Sequence, residues 1–82
     1  MLASKQIAET VNIAMDELPE DLRVALSLRE MEGLSYDEIA VIMECPIGTV
    51  RSRIFRARES IAVRLRPLLG TGMDQKIGRA HV

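Results

Sequence analysis

At 82 residues with a lone cysteine (Cys45) and a lone histidine (His81), the chain has room for one modest core and for no internal disulfide or four-ligand zinc site; with no catalytic constellation either, neither an enzyme, a metal nor a cofactor is expected. No apolar run reaches the roughly 18 residues of a membrane span and no charged-then-apolar leader opens the chain, so a cytoplasmic protein without membrane insertion is expected. The net charge of −1 conceals a division: residues 1–44 hold ten acids against three bases (net −7), whereas residues 45–70 hold six arginines against Glu59 alone (net +5), which points to a polyanion as partner of the basic half unless its arginines form a merely solvated face.

Leu, Ile, Val, Ala, Met, Glu and Arg dominate and aromatics are nearly absent, a bias toward helices over strands. The first helix is predicted to start after Ser4 as N-cap, with Ile7, Val11, Ala14, Met15 and Leu18 at helical spacing. Pro19 ends it and opens the second, in whose first turn Glu20 and Asp21 suit the helix dipole. Leu22, Ala25, Leu26, Leu28 and Met31 form the apolar side of this second helix, and Gly33 sits where a left-handed C-terminal cap belongs.

Ser35-Tyr36-Asp37-Glu38 has the form of a capping box and starts a short third helix with Ile39, Ala40, Ile42 and Met43 as its apolar residues. After a break at Glu44-Cys45-Pro46, a fourth helix is predicted from about Ile47 to Leu65 or slightly beyond, closed by Pro67. The expected fold is therefore all-α: a four-helix domain over residues 1–70 whose C-terminal part, about residues 35–66, is a helix-turn-helix. From Gly70 periodicity is lost, and residues 71–82 read as a flexible tail of vector or read-through character, outside the fold.

A short capped helix followed by a long basic one is the layout of a DNA-binding helix-turn-helix. Ala40 is small where the two motif helices must approach, Val50 and Ile54 supply buried contacts, and Gly48-Thr49-Val50 gives the second helix a slim start that can come near phosphate. On a wheel of about 100° per residue, Val50, Ile54, Ala57 and Ile61 form a core stripe. The far side carries Phe55, Glu59, Ser52 and Arg56, with Arg51 and Arg53 at its flanks.

Arg51, Ser52, Phe55 and Arg56 thus form a set suited to base edges in the major groove: arginine bonds guanine in bidentate fashion, serine donates or accepts, and the ring meets the thymine methyl. A Phe opposite the core gains little unless something docks on it, with a protein as the other candidate. Thr49 can bond phosphate or act simply as a cap residue, and Arg58 can reach phosphate or a neighbouring acid. Arg29 can touch the DNA backbone or pair with an acid such as Glu32, and Tyr36 can donate to phosphate or pack. Arg64 and Arg66 read as solvated.

The runs Leu18-Pro19-Glu20-Asp21-Leu22-Arg23, Leu28-Arg29-Glu30, Gly33 to Ala40 and Cys45 to Arg58 resemble region 4 of the extracytoplasmic-function sigma factors of bacterial RNA polymerase, and in particular their sigma-E (envelope-stress, alginate-regulating) branch. The resemblance covers about residues 6–69. It implies sigma region 4 architecture and recognition of the minus-35 promoter element for transcription initiation at stress-response genes. By position it implies base contacts from Arg51, Ser52, Phe55 and Arg56, and DNA-backbone contacts from Thr49, Arg53, Arg58 and Arg29; Tyr36 joins the candidate backbone contacts on the reading of its hydroxyl alone. It further implies two protein partners, the β flap of the RNA polymerase core and an anti-sigma factor, and a monomer in function. A full sigma factor also carries a region 2 that opens the minus-10 element; nothing here corresponds to it, so a domain of a longer protein is expected. Two alternatives stand beside this reading: the DNA-binding domain of a LuxR-type response regulator, which shares the Gly-Thr-Val start, and a protein-interaction module bound by an anti-sigma factor.

Overall fold

A computed structural model of the chain describes the backbone of residues 4–78 and the side chains of residues 5–69. Four helices follow one another, α1 (Ser4–Glu17), α2 (Glu20–Glu30), α3 (Tyr36–Met43) and α4 (Ile47–Gly78), with no strand among the described residues. The all-α helix-turn-helix architecture read from periodicity is the one observed.

Each junction has a local cause. The carbonyl of Pro19 accepts from the N–H groups of Leu22 at 3.1 Å and Arg23 at 3.0 Å, so the proline that ends α1 also caps α2. Gly33 takes up φ +73°, a left-handed conformation in which a side chain would be strained. The capping box of α3 is complete: Glu38 N–H donates to Ser35 Oγ at 3.1 Å, and Ser35 N–H donates to Glu38 Oε1 at 2.8 Å.

The turn between α3 and α4 is a Schellman closure. Cys45 N–H donates to the carbonyl of Ala40 at 3.0 Å and Glu44 N–H to that of Val41 at 3.2 Å, with Glu44 itself left-handed at φ +54°. Glycine is the usual occupant of such a position; here a glutamate holds it. Pro46 then accepts from Thr49 N–H at 2.9 Å and Val50 N–H at 3.2 Å and starts α4.

Helix α4 packs against all three others. The core joins Leu18, Leu22, Ala25, Leu26, Ile39, Val50, Ile54 and Ala57, with Ala40, Tyr36, Met15 and Ile61 partly buried around it. Ile39, Val50 and Ile54 are the largest fully buried side chains, and burial of each contributes about 1.5–3 kcal/mol. The stripe predicted on the wheel is the one that α4 turns inward.

Three expectations are corrected. Helix α4 does not close at Pro67, which lies inside it. Proline removes its own N–H bond and its ring crowds the carbonyl four residues back, which weakens or kinks a helix without having to end it. Its effect on the preceding residue is a bias that neighbouring turns can override. The helical backbone runs on through residue 78, and residues 79–82 lie outside the described residues. Met31 and Ile42, read as apolar-face residues, are exposed: Met31 is already the C-cap of α2, and α3 turns Ile39 rather than Ile42 inward. Ser4, read as the residue before α1, is its first residue.

Candidate nucleic-acid interface

Because Val50, Ile54 and Ala57 are buried, the side of α4 that carries Ser52, Phe55 and Arg56 must face solvent. It does: Ser52 and Arg56 are exposed, Arg51 is exposed beside them, and Phe55 shows 68 % of its surface. The four residues expected to touch bases therefore lie together on the exposed part of one rigid helix.

The arginines of α4 divide into two groups. Arg53 Nε lies 3.6 Å from Asp21 Oδ2, Arg58 pairs with Glu30, Arg64 pairs with Glu17, and Arg66 Nη2 lies 3.4 Å from Glu59 Oε2. The first three acids lie on α1 and α2, the helices against which α4 packs. Arg51 and Arg56 have no acidic partner among the described residues. The α4 guanidiniums free of carboxylates, Arg51 and Arg56, are both exposed.

The wheel accounts for the three pairs that α4 makes with other helices; Arg66 pairs within α4 itself, and Arg51, at about 100° from Val50, lies just beyond Arg58. Relative to Val50, Arg53, Arg58 and Arg64 fall at about 300°, 80° and 320°, close enough to the core stripe to meet helices packed there, while Arg56 at about 240° points away from them. Arg64 and Arg66 were read as solvated and are instead in ion pairs. Both remain largely exposed, so each pair contributes on the order of 0–1 kcal/mol. The hydrogen bond to Glu30 raises the pKa of Arg58 above its ordinary value.

At the α3–α4 corner, Tyr36 is half-buried and two guanidiniums lie over its ring: Arg29 at 5.1 Å and Arg51 at 5.8 Å from the centroid. Arg29 neither pairs with Glu32 nor stands free, because its Nη1 donates to the carbonyl of Leu34 at 2.8 Å. Thr49 is half-buried in the first turn of α4. A Cβ built on Gly48 would meet nothing within 4 Å, so no contact within the chain requires glycine there.

Sequence reasoning missed Asp21, Glu30 and the Cys45 thiol, which accepts weakly from Arg53 Nη1 at 3.8 Å. The wheel position of Arg53 and Arg58 beside the core stripe carried the signal; the identity of their partners required the position of α2. Among the described residues no group of three or more metal-capable side chains occurs, and no helix is long and apolar enough to cross a membrane.

Comparison with known proteins adds relatives. A family model described as sigma-70, region 4, matches residues 14–61. The chain is 64% identical over 64 residues to the RNA polymerase sigma-H factor of Pseudomonas aeruginosa, a match covering 78% of this chain and 33% of that protein. It is 55% identical over 69 residues to the ECF RNA polymerase sigma-E factors of Escherichia coli K12 and Salmonella typhi, covering 84% of this chain and 36% of each. The chain thus spans about a third of the length of the curated relatives it matches.

Proposed function

This chain belongs to the sigma-70 region 4 family, and we propose that it recognises the minus-35 element of promoters, serving a sigma factor that directs RNA polymerase to stress-response genes. Helix α4 enters the major groove. Arg51 and Arg56 bond purine edges, Ser52 donates or accepts, and Phe55 covers a thymine methyl. Thr49, Arg29 and Tyr36 contact the DNA backbone from the α3–α4 corner. Arg53 and Arg58 join them by exchanging Asp21 and Glu30 for phosphate, as half-exposed pairs can do at little cost. The role is one of binding, without catalysis.

The observation that carries this reading is the division of the arginines: Arg51 and Arg56 lack acidic partners among the described residues, and they flank an exposed Phe55. The test is selection from a pool of randomised duplexes by this chain. A recurring short motif is expected. A pool that stays random after enrichment would contradict the proposal.

A second reading concerns protein partners, the β flap of the polymerase core and an anti-sigma factor. It is favoured by an apolar groove of about 320 Å³ between α1, α2 and α4, lined by Val11, Met15, Leu26, Met31, Ile61 and Leu65. None of the four base-facing residues lines it, but Arg58 and its partner Glu30 do, so the groove adjoins the proposed DNA-backbone contacts. Met31→Glu in the parent sigma factor should weaken its hold on core polymerase while this domain's duplex affinity stays unchanged. Undiminished polymerase binding would remove the groove from the account. Membership of the sigma-70 region 4 family sets aside the response-regulator alternative.

A further inference from the structure

We infer that Tyr36 is a positioning residue for Arg51: its ring, fixed at the start of α3, holds the Arg51 guanidinium ready for a base edge. The inference rests on the reading that Arg51 contacts a base, and goes beyond it by assigning the ring a role separate from any phosphate contact of its hydroxyl.

Tyr36 is fixed from three sides. It is the first residue of α3, directly after the N-cap Ser35 and inside the complete Ser35–Glu38 capping box, so its backbone is held. The side chain packs partly buried against the core. Arg29 lies over the ring at 5.1 Å and is itself tethered to the Leu34 carbonyl. Arg51, by contrast, is exposed, with no ion pair among the described residues; its recorded neighbour is this ring, at 5.8 Å.

The chemistry of the contact suits the task. A guanidinium stacked parallel to a ring uses its own face for the contact, and its in-plane N–H groups stay free to bond. Arg53 and Arg58 present those N–H groups to carboxylates and must break the bond before they can reach anything else. Arg51 need break nothing. An exposed arginine that would otherwise wander among rotamers is restricted before DNA arrives, and less freedom is lost on binding.

The test uses this 82-residue chain and a duplex selected by it from a randomised pool, with every single-base variant of that duplex. Arg51→Ala, Tyr36→Leu, Tyr36→Phe and the Tyr36→Leu/Arg51→Ala double variant are compared. Tyr36→Leu should weaken binding to the selected duplex by about two- to fivefold and relax discrimination at the base position that Arg51→Ala relaxes. Tyr36→Phe should keep that discrimination, and the double variant should discriminate no worse than Arg51→Ala. In DNA-free protein, upfield ring-current shifts of the Arg51 side-chain protons should be present in wild type and Tyr36→Phe and absent in Tyr36→Leu, a readout that a loss of stability alone does not imitate. Equal weakening by Tyr36→Leu on all duplexes, or no ring-current shift in wild type, overturns the inference. If Arg51→Ala relaxes no position, the base-contact reading fails instead, and the ring-current shifts alone decide whether Tyr36 holds Arg51.

Discussion

Arg53 joins three parts of the domain through one guanidinium: its Nε lies 3.6 Å from Asp21 at the start of α2, and its Nη1 donates to the Cys45 thiol in the turn before α4. The pair is partly exposed, so it steadies the motif by about 0–1 kcal/mol at most. Its larger consequence is competition, because the Asp21 carboxylate occupies an arginine that phosphate would otherwise attract. Asp21→Asn is therefore expected to raise duplex affinity on cognate and scrambled sequences alike. Because Arg53 is proposed to reach phosphate in the wild-type complex as well, the slope of log K against log salt should change little. Fluorescence anisotropy across a salt series measures both; a slope more negative by about 0.9 would mean that Arg53 makes no phosphate contact in the wild-type complex, and an unchanged affinity would mean that Asp21 does not compete with phosphate.

Glu44 holds a left-handed conformation at φ +54° in the turn of the motif. That conformation costs a non-glycine residue about 1–2 kcal/mol, which the greater chain freedom of glycine when unfolded partly offsets. Glu44→Gly is expected to stabilise the domain by about 0.5–1 kcal/mol, read as a higher midpoint in urea at an unchanged slope. A lower midpoint would show that the glutamate side chain contributes more than its backbone costs.

Gly48 presents the opposite case. A Cβ there meets open space within the chain, so Gly48→Ala should gain helix propensity, up to about 0.5–1 kcal/mol. If the start of α4 lies against phosphate, the same methyl should weaken duplex binding without regard to sequence. A more stable protein that binds as well as wild type would remove the helix start from the DNA contact.

Ile54 is 1 % exposed and shares the core cluster with Leu22, Leu26 and Ile39. Ile54→Val should cost about 0.5–1.5 kcal/mol and Ile54→Ala about 2–5 kcal/mol. In a domain this small the second change is expected to abolish cooperative thermal unfolding at 37 °C, as followed by circular dichroism, and to abolish duplex binding with it. A folded Ile54→Ala domain at that temperature would place less of the stability in the α4 stripe.

Much of the fold was legible in the residues because local chemistry fixes it. Pro19, the Ser35–Glu38 box and the Val50, Ile54, Ala57 spacing each specify a junction or a face without reference to distant parts of the chain. The same spacing determined that Phe55 and Arg56 would be exposed. What was not legible depends on tertiary placement. Whether Arg58 would meet an acid or stay free turned on where α2 puts Glu30, and whether Arg29 would find Glu32 or the Leu34 carbonyl turned on the path of the chain after Gly33. The helix running through Pro67 was missed for another reason: a residue's preference was read as a stop, although flanking turns can carry the helix past it.

The central claim is that the solvent side of α4 reads base edges, and Arg56 tests it most directly because it lacks an acidic partner among the described residues. The decisive measurement is the affinity of wild type and Arg56→Ala for the selected duplex and for each single-base variant of it. The account predicts a loss of about 1–3 kcal/mol on the selected duplex, with discrimination relaxed at one base position and kept at the others. Equal losses on every duplex, scrambled ones included, would reduce Arg56 to a phosphate contact and contradict the account.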